Sequence, residues 1–137
     1  MGGVKRFQDL VAWKLCAELS VVIFEITEHG RAAKDLGFRA QLRAAADAAP
    51  PLIAEGFARY TDREFVRYLR MARGELAEVQ SHLLTGAARN YFSPSDLERA
   101  ETLADRAMGT TTNLLKSKLW QLGHGVRARN TRTQTGK

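Results

Sequence analysis

An arginine series in the middle of the chain is the feature whose residue types and spacing could do chemistry. Successive members are four, four, three and three positions apart: Arg59, Arg63, Arg67, Arg70 and Arg73. Successive residues of a helix are rotated by about 100°. Arg63, Arg67 and Arg70 would therefore point roughly away from Phe65, which marks the core side. Tyr60 and Tyr68 lie among them. Because guanidinium groups bind phosphates and aromatic rings stack on bases, this pattern predicts a nucleic-acid-binding face. The alternative is a solvated helix face whose charges pair locally with Asp62 and Glu64.

The excess positive charge of the chain lies at its two ends. The formal net charge is +6, and Lys5 and Arg6 contribute near the N-terminus. The stretch 123–137 has no acidic residue and four basic ones: Arg127, Arg129, Arg132 and Lys137. The stretch 7–122 contains 15 basic residues and all 15 acidic residues, and is therefore neutral. We expect 123–137 to be a disordered basic tail that could contact a polyanion through Arg127, Arg129 and Arg132.

Residues suited to catalysis or metal binding occur without the partners that such chemistry requires. The sequence has no Glu-x-x-His, His-Glu-x-x-His or Cys-x-x-Cys motif, and no glycine-rich phosphate loop. Glu78 and His82 would share a helix face, but one such pair cannot fill the coordination shell of a metal. Cys16 lies in an apolar stretch, so we expect a small core residue rather than a reactive thiol. Some helical-bundle ribonucleases carry an arginine a short distance before a histidine, and no histidine of this chain has an arginine at that distance. We therefore expect no enzyme activity, metal or cofactor.

Four segments have the hydrophobic periodicity of amphipathic helices and must position these side chains. We predict helices at about 9–29, 35–57, 62–91 and 94–120. The third has an unbroken alternation of four- and three-residue spacings between apolar or small residues: Phe65, Leu69, Ala72, Leu76, Val79, Leu83 and Gly86. Short connections favour an antiparallel up-down-up-down four-helix bundle. A single all-α domain at 1–122, followed by the tail, fits the 137 residues.

Residues that commonly cap or stop helices lie near the predicted boundaries. They are Asp9, Gly30, the capping box of Thr61 with Glu64, and Ser93 followed by Pro94. Pro50 and Pro51 fall inside the second helix, where a proline costs roughly 3 kcal/mol. A kink or a break is therefore expected at that point.

The apolar runs of the chain are too short for a membrane span. The longest purely apolar run covers 21–24, whereas a span needs about 20 residues. Charged residues also interrupt any signal-peptide pattern at the N-terminus: Asp9, Lys14 and Glu18. We expect a cytoplasmic protein that does not contact membranes.

Several short runs, taken in order and with their spacing, form a recognisable set. They are Phe7-Gln8-Asp9-Leu10 with Trp13, Gln41-Leu42-Arg43-Ala44-Ala45, Pro51-Leu52-Ile53-Ala54-Glu55-Gly56-Phe57 with Arg59, Glu64-Phe65, Tyr68-Leu69, and Ala72-Arg73-Gly74-Glu75-Leu76-Ala77-Glu78. From about Phe7 to Leu119, the chain resembles the bacterial four-helix bundle family named after the protein encoded in intervening sequences of 23S ribosomal RNA genes.

The resemblance implies a small cytosolic bundle that assembles into a homo-pentamer. It also implies kinship with the accessory variability protein of diversity-generating retroelements, a basic pentameric barrel that binds nucleic acid and a reverse transcriptase. The family places a proline within the second helix, so a kinked but continuous helix is expected at Pro50 and Pro51. Glu55, Gly56 and Arg73 lie at characteristic family positions. The structural interpretation of Glu55 and Arg73 is an ion pair or cap holding the turn between the second and third helices.

Two functions remain open from the sequence. The first is a non-enzymatic, homo-oligomeric binding or scaffold protein that contacts RNA or DNA, with a protein partner such as a reverse transcriptase. The arginine series, the basic tail and the family resemblance support it. The second is a purely protein-binding or self-assembling module with no nucleic-acid role, which the neutral balance of 7–122 favours.

Overall fold

Five α-helices and no strand make up the part of the chain that the structure describes. The structure is a computed structural model that describes residues 3–135 and the side chains of residues 3–124. A single 3-10 turn, Phe7–Asp9, precedes the helices. The helices are α1 (Val11–Ile26), α2 (Gly30–Lys34), α3 (Leu36–Ala58), α4 (Asp62–Ala88) and α5 (Pro94–Thr135). The predicted all-α class is confirmed.

The four long helices pack around one apolar core. Helix α1 packs against α3 and α5, and α4 packs against the same two helices. The largest fully buried side chains come from three of these helices: Leu19, Ile23 and Ile26 of α1, Leu42 and Ile53 of α3, and Leu69, Leu76 and Leu83 of α4. Each such side chain stabilises the fold by about 1.5–3 kcal/mol through its removal from water. Small α5 residues, including Ala100, Ala104 and Ala107, complete the core and let the helices approach closely.

Helix α4 follows its predicted pattern most closely. All seven residues of the predicted four-three repeat are buried. The hydroxyl of Thr61 accepts a hydrogen bond from the Glu64 amide at 3.2 Å, as expected for a cap. The helix ends at Ala88, slightly before the predicted end, because Asn90 adopts a left-handed conformation with φ 55°. The Tyr91 amide then donates to the Gly86 carbonyl at 2.9 Å, which closes the helix terminus.

The first predicted helix is shorter than expected, and a second short helix follows it. Asp9 lies in the 3-10 turn and does not cap α1, whose N-cap is Leu10. Helix α1 ends at Ile26, where the Thr27 hydroxyl donates to the Ile23 carbonyl at 2.6 Å. That side-chain bond satisfies a carbonyl at the helix end. Gly30, predicted as a stop, has φ 69° and begins α2 within the predicted loop.

Helix α3 is continuous through Pro50 and Pro51. A break at this point, one of the two possibilities raised by the sequence, is therefore wrong. Ala49 and Ile53 on either side of the prolines are fully buried. Their packing holds the segment in the helix and offsets the lost backbone hydrogen bonds.

Helix α5 begins as predicted and extends further than predicted. The Ser93 hydroxyl accepts from the Asp96 amide at 3.2 Å, and Pro94 is the first helical residue. The helical backbone continues to Thr135, so the end expected near residue 120 is corrected. Gly123 does not stop the helix, because one interior glycine costs only about 1 kcal/mol and no proline follows it in the sequence. Within 123–137, the side chains from residue 125 onward lie outside those the structure describes.

Candidate nucleic-acid interface

A groove on the outer side of α4 brings together three of the predicted arginines. Arg63, Arg67 and Arg70 are all exposed, on the side of α4 that faces away from the core. The groove has a volume of about 600 Å³ and is lined by residues of α4 and α5: Arg63, Glu64, Val66, Arg67, Arg70, Met71, Leu119 and Leu122. We call this set the α4 groove. The helical spacing of the arginines brings them onto one surface, and the packing of α5 against α4 supplies the other wall.

Carboxylates neutralise little of the arginine charge in the α4 groove. Arg67 Nη1 lies 3.4 Å from Glu64 Oε2, in an exposed pair. Among the described side chains, no carboxylate lies within 4.0 Å of Arg63 or Arg70. Asp62, the other acid considered from the sequence, lies 3.7 Å from Lys118 instead. Local pairing therefore accounts for one arginine of the three, and an exposed pair of this kind is worth at most about 1 kcal/mol.

Four of the eight residues that line the α4 groove are apolar, Val66, Met71, Leu119 and Leu122, and we call these four its apolar floor. Val66 is buried at 4 % exposure, while Met71 and Leu119 remain 44 % and 40 % exposed. Leu122 packs partly buried against the core. An arginine row beside an apolar surface can hold a ligand that is anionic along one edge and apolar along the other.

Arg59 lies outside the α4 groove and is engaged in the turn between α3 and α4. Its Nη2 atom is 3.2 Å from Glu55 Oε1 and donates to the Tyr68 hydroxyl at 2.9 Å. That hydroxyl donates in turn to Glu55 Oε1 at 3.1 Å. The hydrogen bond with Glu55 raises the pKa of Arg59 above its ordinary value. The three side chains thus tie the end of α3 to the start of α4, and Tyr68 is buried by them rather than open to a base.

Arg73 also lies outside the α4 groove. Its Nε atom donates to the Thr112 hydroxyl of α5 at 2.9 Å. The ion pair considered for Glu55 and Arg73 is therefore corrected, because Glu55 instead contacts Arg59 and Tyr68. Gly56 is buried at a close approach of α3 and α4: a Cβ atom there would lie 2.5 Å from Tyr68 Cβ. The remaining predicted residues, Arg127, Arg129 and Arg132, lie beyond the described side chains.

An exposed aromatic pair on α5, which begins one residue after the groove-lining Leu119, was not singled out from the sequence. Trp120 directly follows Leu119 and is 62 % exposed. One face of its ring stacks on His124, with ring centroids 3.6 Å apart. The signal was present in the sequence, since Trp120 and His124 are four positions apart and share a helix face. Tyr60, next to Arg59 at the start of the arginine series, is fully exposed.

The residues considered for catalysis or metal binding, Cys16, Glu78 and His82, are part of the packing of the helices. Burial raises the pKa of the Cys16 thiol to about 11. His82 Nε2 lies 3.6 Å from Glu78 Oε1, and its ring packs edge-on against Phe38. No three His, Cys, Asp or Glu residues among the described side chains lie close enough together to hold a metal ion. Within the described residues, no helix combines the length and the apolar character needed to cross a bilayer.

Comparison with known proteins places the chain in one family. A search of curated proteins found no match. The model of the 23S rRNA-intervening sequence protein family matches residues 8–113, which is more than half of the 137 residues. The matched range includes the whole of α1 to α4, and with them Glu55 and Gly56 of α3 and the arginines of the α4 groove. The chain therefore belongs to the 23S rRNA-intervening sequence protein family.

Proposed function

We propose that this protein is a non-enzymatic, homo-oligomeric scaffold that contacts RNA or DNA through the α4 groove. The observation that carries the proposal is the exposed arginine row, in which Arg63 and Arg70 lack a carboxylate partner among the described side chains. Three guanidinium groups in a row attract a polyanion without the cost of breaking internal ion pairs. The basic residues of 123–137 add a second cationic segment to the same chain.

The dimensions of the row suit a phosphate backbone. From Arg63 to Arg70, α4 rises by about 10 Å at 1.5 Å per residue. Phosphates of one strand advance by about 3.4 Å along the axis of a stacked helix and lie further apart in an unstacked strand. In either case the row spans a few phosphates, and each arginine can address one phosphate or bridge two of them.

The test is fluorescence anisotropy with labelled RNA and DNA at low and moderate salt. We expect binding that weakens with salt, and a triple Arg63, Arg67 and Arg70→Ala variant that binds at least tenfold more weakly. The slope of log K against log salt should become shallower by about two, since each lost phosphate contact removes about 0.7–0.9 from the slope. No binding at low salt would overturn the proposal.

A matched variant separates the site from general charge. Arg31, Lys34 and Arg106 are exposed, and they lie on α2 and α5 outside the α4 groove. Substitution of these three residues by alanine removes the same charge. This control should lose far less affinity than the groove variant; equal losses would show that net charge, and not the α4 groove, attracts the nucleic acid.

We further propose an antiparallel up-down-up-down four-helix arrangement that assembles into a homo-pentamer. The short connections between α3, α4 and α5 support the first part, together with the packing of each long helix on two others. The family resemblance supports the second part. Multi-angle light scattering at micromolar concentration should give five times the chain mass of 15.2 kDa. A monomer at that concentration would remove the assembly from the proposal.

A second apolar groove favours the alternative function, a protein-binding or self-assembling module. It has a volume of about 510 Å³, lies between α3 and α4, and is lined by mostly small or apolar residues: Ala48, Pro51, Leu52, Met71, Gly74 and Glu75. Such a surface suits packing against another protein, whether a second copy or a partner such as a reverse transcriptase. Assembly that persists while nucleic-acid binding is absent at low salt would favour this alternative.

A further inference from the structure

The chemistry of the α4 groove indicates which form of nucleic acid fits it. Resting on the proposed function, we infer that its ligand is single-stranded nucleic acid, with the phosphates on the arginine row and the bases on the apolar floor. The inference names the form of nucleic acid that this site selects. It follows from what lies beneath the arginines and from what flanks α4.

The apolar floor has no partner on a duplex. A duplex presents phosphates and sugars at its surface and keeps the faces of its bases stacked inside. Arg63 and Arg70 could contact that surface, but Met71 and Leu119 would remain against charged backbone or water. An unpaired strand can turn its bases toward the protein, and every base has an apolar π-face. The phosphates of one unpaired strand therefore match the arginine row of the α4 groove, and its bases match the apolar floor.

The position of α4 also disfavours insertion into a duplex. Double-stranded DNA is commonly read by a helix that protrudes into a major groove about 12 Å wide. Helix α4 is packed against both α3 and α5, so its arginines line a concavity rather than a protruding edge. A flexible single strand can follow such a concavity, whereas a stiff duplex can contact only its rim.

Trp120, one residue after the groove-lining Leu119 on α5, is a candidate stacking platform for a strand that continues beyond the groove. It follows Leu119, which lines the groove, and is 62 % exposed. His124 covers one face of its ring, with centroids 3.6 Å apart, which holds the indole in place. The exposure of the indole leaves room for a base on its other side. Stacking of one base on such a ring changes affinity by about five- to 150-fold, because it is worth about 1–3 kcal/mol.

The first experiment compares probes that carry equal numbers of phosphates. Labelled oligouridine, labelled oligothymidine and a blunt RNA or DNA duplex are titrated by fluorescence anisotropy at one moderate salt concentration. We expect the unpaired probes to bind at least tenfold more tightly than either duplex. The comparison of oligouridine with oligothymidine shows whether the strand is RNA, DNA or either. Equal or tighter binding of a duplex would overturn the inference.

The second experiment changes the floor without changing charge. A Met71→Ser and Leu119→Ser double variant should lose about five- to tenfold in affinity for oligouridine and retain its weaker duplex affinity. The control is Val21→Ser with Leu84→Ser, since both of these residues are exposed apolar side chains outside the groove. Circular dichroism confirms that both variants fold, and light scattering confirms that both keep the natural assembly state, since Met71 also lines the groove between α3 and α4. Identical losses for single strand and duplex in the floor variant would contradict a base-contacting floor.

The third experiment observes the stacking directly. A Trp13→Phe variant leaves Trp120 as the only tryptophan of the sequence, and Trp13 itself is partly buried and packs edge-on against Phe7. Oligouridine should quench the remaining fluorescence at saturation, and the duplex should not. In the natural chain, Trp120→Ala should weaken oligouridine binding about tenfold and leave duplex binding unchanged. Unchanged fluorescence at saturating oligouridine would remove Trp120 from the site.

The outcomes separate this inference from the proposed function. Duplex and single strand could bind with the same affinity, and both could lose it when Arg63, Arg67 and Arg70 are replaced. That result would contradict only the preference for single strands and would leave the scaffold proposal intact. No binding of any probe at low salt would sink the proposed function, and this inference with it.

Discussion

Gly56 shows how a single residue sets the distance between two helices. It is buried in α3, and a Cβ atom at this position would lie 2.5 Å from Tyr68 Cβ and 3.0 Å from the Phe65 ring. The Cβ of Tyr68 is attached directly to the α4 backbone, so it cannot move aside as the tip of a flexible side chain could. The absence of a side chain at Gly56 therefore permits the contact between α3 and α4 that seats Tyr68 against Glu55 and Arg59.

A Gly56→Ala variant should lose about 1–3 kcal/mol of unfolding free energy, the usual cost of forcing an extra group into a packed contact. Gly74 is the control, because its Cβ would meet no atom within 4 Å. Gly74→Ala should instead stabilise the protein by about 0.5–1 kcal/mol, through the lower conformational freedom of alanine in the unfolded chain. Urea denaturation measures both changes. Stabilisation by both substitutions would contradict the close approach at Gly56.

Cys16 is a core residue whose ionisation is suppressed. It is 1 % exposed, and burial raises its pKa from 9.0 to about 11. The unfolded chain ionises this thiol first, so its contribution to stability is present below pH 9 and is lost as the pH rises toward 11. Iodoacetamide at pH 8 should modify the native protein far more slowly than the urea-unfolded protein. Cys16→Ser should flatten the decline of stability above pH 9; equal alkylation rates in both states would contradict burial.

At the scale of elements, Asp35 joins the start of α3 to the turn between α4 and α5. Its side chain caps α3 by accepting from the Phe38 amide at 3.2 Å. The Tyr91 hydroxyl donates to its other oxygen at 2.7 Å, and Arg89 lies 3.5 Å away. These contacts tie α3 to the connection that leads into α5. Hydrogen bonds from Tyr91 and Phe38, with the charge of Arg89, lower the pKa of Asp35 below its ordinary value of 3.8.

The lowered pKa of Asp35 predicts that the contribution of this residue to stability depends on pH. Since the folded state favours the carboxylate, this contribution is present above pH 3.8 and is lost as the pH falls through the lower folded-state pKa. Asp35→Asn should lower the Tm at pH 6 by several degrees and reduce the part of the Tm that is lost in acid. Asp105→Asn is the control, because Asp105 accepts one hydrogen bond, from Gln80. Equal acid sensitivity of the two variants would argue against the role of Asp35.

At the scale of the whole molecule, the core and the excess charge occupy different parts of the chain. Core residues run from Leu10 to Leu115, whereas four basic residues without an acid lie in 123–137. Removal of 123–137 should therefore weaken the attraction of polyanions and leave the stability of the fold nearly unchanged. This separation distinguishes the contribution of the α4 groove from that of the C-terminal stretch.

A chain truncated after Leu122 tests this separation. We expect a Tm within a few degrees of the full chain, since every buried core residue among the described side chains remains. Single-strand affinity should fall at low salt, and the slope of log K against log salt should become shallower by up to about three. The groove should still discriminate between single strand and duplex. A truncated chain that loses its helical circular dichroism would show that 123–137 contributes to the fold.

Much of the architecture could be predicted because it depends on local patterns. The four-three spacing along α4 places every apolar residue of the repeat on one side of a helix, so burial of that side follows once any partner packs there. Caps such as Thr61 and Ser93 act within three residues of themselves. The interruption at Thr27 and the extension beyond Gly123 were missed, because a side-chain bond to the backbone and the small cost of one glycine leave weak traces in a sequence.

The family, the all-α class, the α4 core face and the outward direction of the arginines follow from the sequence. Which of the arginines remain available depends on the packing of the helices. Arg59 and Arg73 are taken up by Tyr68 and Thr112, residues brought to them by the packing of other turns and helices. The floor of the α4 groove likewise comes partly from α5, through Leu119 and Leu122. Contacts between residues far apart in the chain depend on how helices pack, and helical periodicity carries no information about them.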